Sequence, residues 1–259
     1  MSVKIIKKTL EHPKFKFNAM AFKATKDNGN GANDIFAVMT HGYTASKQDC
    51  ISWAQRLSDA GIHTVIFDQP GHYLGSYHNV ASFEDFIESA HECFIHAYEF
   101  LKDSVGIEPQ HLVLGGHSLG ALMSLKAIEH NYFKEFNKLS VCVGYGLNQS
   151  EDTHIFDTAF YEKTINIRRQ LVSPAIDSDK MFPWIKAYKE EIDVSDKRIH
   201  LICGKDDLVV GKGGMAYLEQ VLLDKGNQVT STEPNRLPHN NPELAASHIY
   251  SFLKKEFNL

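Results

Sequence analysis

Apolar and polar positions change their period repeatedly along the chain, and each change marks an element. Near the start, Val3–Leu10 and Phe15–Ala24 are apolar-rich over strand-like lengths and read as an antiparallel strand pair. The polar stretch KDNGNGAND, Lys26–Asp34, predicts a turn or loop. Strands and helices then alternate. Ile35–Thr40 (IFAVMT) predicts a strand, Cys50–Ala60 a helix stopped by Gly61, and His63–Asp68 (HTVIFD) a second strand. In Phe83–Leu101, apolar residues at 83, 86, 87, 90, 94, 97 and 101 follow the helical spacing and predict one long amphipathic helix.

Further along, strands are predicted at His111–Gly115, Leu139–Val143, Arg198–Cys203 and Gln228–Thr232. Helices are predicted over about Ser118–His130, Gly213–Leu223 and Pro242–Phe257. Near-continuous apolar strands alternating with helices imply the α/β class: a mainly parallel sheet covered by helices on both faces. The segment Gly146–Lys197 breaks the rhythm. It has no evident strand and carries Phe156, Phe160, Tyr161, Phe182, Trp184 and Tyr188. A structureless loop that long is improbable in a compact domain, so it is expected to be a small helical cap inserted into one domain spanning residues 1–259.

Composition narrows the functional classes. With 259 residues, 43% hydrophobic and 23% charged, the chain has apolar material for one sizeable core. A formal charge of −5 argues against a nucleic-acid or anionic-membrane surface, both of which require a basic patch. No apolar run approaches the ~18 residues of a membrane span. The opening MSVKIIKKTLEHPKFKF places charges where a secretory leader has its apolar region. Cys50, Cys93, Cys142 and Cys203 are scattered without close pairs, as expected of thiols in a reducing compartment, and the expected location is cytoplasmic.

The candidate chemistry lies in Leu112–Leu125, LVLGGHSLGALMSL. Gly116-His117-Ser118-Leu119-Gly120 fits a GxSxG nucleophile elbow, a sharp strand-to-helix turn. The turn holds its serine in strained dihedrals, and the two glycines remove side chains that would clash. Leu112–Leu114 supplies the strand and Ala121–Ile128 the helix. The serine hydroxyl would then stand at a helix N-terminus, where backbone N–H groups can stabilise a developing oxyanion.

In these features the chain resembles the α/β-hydrolase superfamily over nearly its whole length. Thr40-His41-Gly42-Tyr43 follows the first parallel strand, as that family's oxyanion loop does. Asp68-Gln69-Pro70-Gly71-His72 resembles its D-x-P-G stretch, with Tyr73 and Leu74 intervening before Gly75-Ser76, so no site residue is taken from it. The family's order is Ser, then Asp or Glu, then His. Gly204-Lys205-Asp206-Asp207-Leu208-Val209-Val210 resembles its G-x-x-D-x-x-V segment, which points to Asp207 as the acid and leaves Asp206 as the alternative. Leu237-Pro238-His239-Asn240-Asn241-Pro242-Glu243 lies where the family carries its histidine. Other histidines fit the base less well: His200 lies within a strand, His248 on a helix, His117 beside the elbow, and His72 near the pocket at most.

The resemblance implies a Ser118–Asp207–His239 triad with oxyanion donors at the backbone amides of Tyr43 and Leu119. It implies an acyl-serine hydrolase of small carboxylic esters that needs no cofactor. No HExxH, CxxC pair, EF-hand loop, GxGxxG or GxxxxGK[ST] motif is present, so no metal or nucleotide is expected. Relatives with dehalogenase chemistry carry aspartate at the elbow, which Ser118 opposes. Thioesterase, amidase and carbon–carbon hydrolase chemistry use the same triad and stay open, as does a receptor or binding module with little turnover. The oligomeric state is not legible.

Overall fold

The computed structural model describes residues 3–25, 31–147 and 158–259. Among these residues eight strands form one sheet in the order β1-β2-β4-β3-β5-β6-β7-β8. They are β1 (Val3–His12), β2 (Phe15–Ala24), β3 (Ile35–Thr40), β4 (His63–Phe67), β5 (His111–His117), β6 (Lys138–Val143), β7 (Arg198–Ile202) and β8 (Gln228–Thr232). β1 and β2 pair antiparallel, β2 runs antiparallel to β4, and the other neighbours are parallel. Every residue of β3 and β4 is buried, which explains why these strands read as unbroken apolar runs rather than alternating ones. At one edge β1 presents Lys4, Lys7 and Lys8, charges that discourage pairing with another chain.

Among the described residues eight α-helices flank the sheet: α1 (Ile51–Asp59), α2 (Phe83–Ser89), α3 (Cys93–Val105), α4 (Leu119–Glu129), α5 (Ala159–Gln170), α6 (Ser178–Glu190), α7 (Gly214–Asp224) and α8 (Ala246–Glu256). On one face, Trp53, Ala54 and Leu57 of α1 pack with Ile249 and Leu253 of α8. On the other, Phe94, Tyr98 and Leu101 of α3 join Leu122 and Leu125 of α4 and Leu218 and Leu222 of α7. Filling both faces with large buried side chains supplies the main stabilisation, at roughly 1.5–3 kcal/mol for each fully buried one.

The expected long helix over Phe83–Leu101 is instead two helices. A 3-10 turn at Ala90–Glu92 separates α2 from α3. At this break the Ile87 carbonyl accepts a hydrogen bond from the Lys126 ammonium (2.5 Å). The same apolar spacing persists through both pieces, so periodicity alone could not show the interruption. The expected final helix likewise begins as a 3-10 turn, Pro242–Ala245, before α8. Of the expected loop Lys26–Asp34, residues 26–30 lie outside the described residues, and Ala32–Asp34 forms a 3-10 turn.

Between β6 and β7 the described residues form α5 and α6, in keeping with the helical expectation, while Phe156 lies outside them. A single bridge, Val172 with His72, is the strand-like pairing there. Among the described residues, no helix is long and apolar enough to cross a membrane. The four cysteines are free and buried.

Candidate active site

Sheet register brings the site together. Thr40 pairs with Gly116, His117 with Val143, and Val143 with Ile202. The chain segments leaving β3, β5, β6 and β7 therefore emerge side by side at one end of the sheet. In a parallel α/β sheet this end is where sites form, because several loops converge there.

Ser118 sits between β5 and α4 at φ 52°, ψ −111°, a conformation costing of order 1–3 kcal/mol for a non-glycine residue. Its surroundings over-determine it. The Ser118 N–H donates to Val143 O (2.8 Å), and its carbonyl accepts from Ala121 N (3.0 Å) and Leu122 N (3.1 Å). A Cβ on Gly116 would lie 2.5–2.8 Å from Gly120 backbone atoms. One on Gly120 would lie 2.7 Å from the carbonyl oxygens of Thr40 and His41. These neighbours are backbone and cannot swing aside, so the turn closes only around glycine. Ser118 remains partly exposed at the apex.

The segment after β7 turns Asp207 inward and Asp206 elsewhere. Asp207 Oδ2 lies 2.8 Å from His239 Nδ1. Its Oδ1 accepts from Val209 N (2.9 Å) and Val210 N (3.0 Å). Burial alone would raise the Asp207 carboxyl, but the hydrogen bond and charge of His239 and the Val210 amide outweigh it and hold it below the usual carboxylate value. Asp206 Oδ1 instead accepts from Leu237 N (2.8 Å), tying down the loop that carries His239.

His41 anchors the loop after β3. Its Nδ1 donates to the Gly42 carbonyl (2.8 Å) while Nε2 accepts from Gln69 N (2.9 Å). Burial pulls the His41 imidazole down to about 4, so it stays neutral in this role. Tyr43 follows, and Thr44 adopts φ 62°. Leu119 is the first residue of α4, and the first N–H groups of a helix have no intrahelical acceptor. His117 packs beside the elbow, with its ring centroid 4.6 Å from that of His239. Gly42 and Gly144 hug it, since a Cβ on either would come within 2.8–2.9 Å of its ring nitrogens. His72 is fully buried behind Tyr43 and His41, at centroid distances of 5.7 and 5.2 Å. His200 bonds Thr230 Oγ1 (2.7 Å) and stacks on Phe252, and His248 lies on α8.

Asp68 forms a buried pair with Lys47 (2.5 Å) and accepts from the Lys47 N–H (2.8 Å). A Cβ on Gly75 would fall 2.0 Å from its carboxylate. The intervening Tyr73 and Leu74 thus loop out and still bring Gly75 back against Asp68.

Ser118, His239, Tyr43 and Leu119 all line one cavity of about 220 Å³. Its lining also holds residues that the sequence did not single out: Arg168 of α5, Ile185 and Lys189 of α6, and Asp49. One signal was present. Lys189 stands four residues after Ile185 and seven after Phe182, on the buried face of α6 where an apolar residue is expected. Which cavity that face covers is set by docking, which no local pattern encodes. Away from the cavity, His91, Glu92 and His130 approach one another closely enough for a cation. However, His12 Nε2 occupies Glu92 (2.7 Å), His130 Nδ1 accepts from Tyr132 N (3.2 Å), and Lys126 adds positive charge at His91. Glu92 and one His130 nitrogen are thus engaged in the fold, while the buried His91 Nδ1 has no hydrogen-bond partner among the described residues.

The family model described as serine aminopeptidase, S33, matches residues 32–144, a span holding Tyr43 and Ser118 but neither Asp207 nor His239. No curated protein sequence matches. Among solved structures, the chain superposes on a bacterial membrane phospholipase A described as a virulence factor, with TM-score 0.64 and 15% identity over 100% of this chain and 88% of that one. Epoxide hydrolase I of potato, Solanum tuberosum, matches with TM-score 0.63 and 12% identity over 97% and 100%. An esterase of Pyrococcus furiosus matches with TM-score 0.58 and 19% identity over 98% and 92%. At these identities the likeness is one of fold.

Proposed function

Given that this chain is an α/β-hydrolase-fold protein, we propose that it is a serine hydrolase cleaving a small carboxylic ester through an acyl-serine intermediate. The observation that carries the reading is the 2.8 Å contact of His239 Nδ1 with a carboxylate locked by two backbone amides, at a cavity shared with a strained serine. With Nδ1–H donated to Asp207, the neutral imidazole presents an unprotonated Nε2. His239 Nε2 then takes the Ser118 proton as Oγ attacks the ester carbonyl. The resulting imidazolium is stabilised by the Asp207 charge, and it returns the proton to the departing alkoxide. A water molecule, deprotonated by the same nitrogen, releases the acid and restores the serine. The Tyr43 and Leu119 amides are the proposed donors to the tetrahedral oxyanion, where loss of one donor typically costs about 3–4 kcal/mol. α5 and α6 act as the cap, bounding the space left for substrate.

The test is intact-mass spectrometry after fluorophosphonate treatment. Wild type should gain one adduct, Ser118→Ala none, and His239→Ala should react far more slowly. A folded wild-type protein that takes no adduct would overturn the reading and favour a binding module. With an adduct in hand, a panel of ester, thioester, amide and carbon–carbon substrates decides the bond, and faster turnover of any class other than esters would revise it.

A further inference from the structure

The cap brings two cations, Lys189 and Arg168, to the cavity, and among the described residues neither has an acidic partner within ion-pair distance. Lys189 Nζ lies over the Tyr145 ring, 4.8 Å from its centroid, and the buried Tyr145 hydroxyl has no hydrogen-bond partner among the described residues. No carboxylate among the described residues is within ion-pair distance of Lys189. Burial depresses its ammonium to about 8, opposed by the charge of Asp207. Yet both Asp207 oxygens are committed, one to His239 and the other to the Val209 and Val210 amides. Arg168 is placed similarly. Its guanidinium lies over the Tyr161 ring at 4.6 Å, and its polar contacts are hydroxyls, Thr164 Oγ1 and Thr44 Oγ1, each at 3.0 Å. Of five guanidinium donors, these use two.

An excess of base in the chain does not account for this, because 27 Lys and Arg face 32 Asp and Glu. The uncommitted acid lining the cavity is Asp49, where burial and then Glu243 disfavour the charged form. A half-buried cation without a counter-charge is costly unless something else supplies one. Both cations line the cavity that Ser118 and His239 also line.

From this arrangement we infer that Lys189 and Arg168 form an anion subsite, and that the substrate is an ester carrying a second, ionised carboxylate a few bonds from the scissile carbonyl. The inference rests on the proposed reading of the cavity as the substrate site. It makes the two residues specificity determinants: they hold the far end of the substrate while Ser118 and His239 act on the near end. Such charge-assisted bonds, made out of bulk water, are about twice as strong as neutral ones.

The experiment uses Ser118→Ala protein, so that binding is read without turnover. Monomethyl glutarate, an anion, and dimethyl glutarate, its neutral counterpart, are titrated by ligand-observed NMR. The expected result is at least tenfold tighter binding of the anion, falling below threefold in Lys189→Met/Arg168→Met and retained in Lys189→Arg. Circular dichroism of each variant confirms the fold. Equal affinity for both ligands, no binding of either, or a preference that survives the double substitution would overturn the subsite. Failure of Ser118 labelling in the wild type would instead remove the catalytic reading and leave this measurement intact. Turnover of the 4-nitrophenyl hemiester of glutaric acid against 4-acetoxybenzoate then tells whether the charge belongs on the acyl or the leaving-group side.

Discussion

The end of the sheet that carries Ser118 and the helix pair α5–α6 face the same cavity, yet they are held by different means. At the sheet end the strands pair with their neighbours in register, and Gly116 and Gly120 lie against backbone atoms that leave no room for a Cβ. The helix pair with its connecting segment buries Val172, Ile176, Met181 and Ile185 in the core and is tied to the loops at the sheet end by discrete hydrogen bonds. Tyr43 Oη donates to Ile176 O (2.8 Å), Ser173 N to Gly71 O (2.7 Å), and Tyr73 N to Leu171 O (2.9 Å), while Phe182 packs on Tyr43. In the proposed reading, chemistry falls to the strained strand-to-helix turn at the sheet end and ligand selection to the helix pair that covers it. Such a division lets one scaffold host many substrates.

The largest effect that would break this division lies at the sheet end. Asp207→Asn should lower kcat/KM by about 10⁴-fold with little change in KM, because the imidazole loses its orienting carboxylate and the charge that stabilises its protonated form. Asp206→Asn should cost less than about tenfold, since it loosens a loop bond and leaves His239 paired. Steady-state kinetics on a reactive aryl ester checks both, and a greater loss at Asp206 would reverse the assignment of the acid.

Acid provides a second, smaller test. His41 and His72 are held neutral by burial, at about 4 and about 3, whereas the unfolded chain titrates near the ordinary value of about 6.5. At pH 5 the unfolded chain therefore binds more protons than the folded one, and stability falls as pH drops below about 6.5 toward 4. These two groups account for roughly 2–3 kcal/mol per pH unit at the steepest point. Urea midpoints measured across that range would show it, and a flat profile would exclude neutral histidines beneath the site.

The smallest effect belongs to the links of the helix pair. Tyr43→Phe keeps the ring and the backbone amide but removes the bond to Ile176 O. It should cost about 1 kcal/mol in stability and raise KM a few-fold with kcat nearly unchanged. A large fall in kcat instead would mean that the tyrosine hydroxyl takes part in the chemistry, and the two regions would not be separable in this way.

Much of the scaffold was legible because its signals are local. Gly-His-Ser-Leu-Gly after an apolar strand specifies a turn that only those glycines permit, and alternating apolar strands and helices specify a parallel sheet. Segment ends shifted by a residue or two, and the helix over Phe83–Leu101 broke, because a 3-10 turn preserves the apolar spacing it interrupts. The pairing of His239 with Asp207, 32 residues away in sequence, could be guessed only through resemblance. The same resemblance pointed to Asp207 with Asp206 as the alternative, and the direction in which the loop turns is what brings Asp207 against His239 and Asp206 against Leu237 N.

The sequence by itself determined the sheet, its order of helices and the strained serine, since each depends on steric and hydrophobic preferences spanning a few residues. Only the tertiary structure decided what surrounds that serine. Lys189 and Arg168 reach the cavity because α5 and α6 dock across the end of the sheet. That docking is a sum of contacts between residues far apart in the chain, so no single stretch of sequence records it.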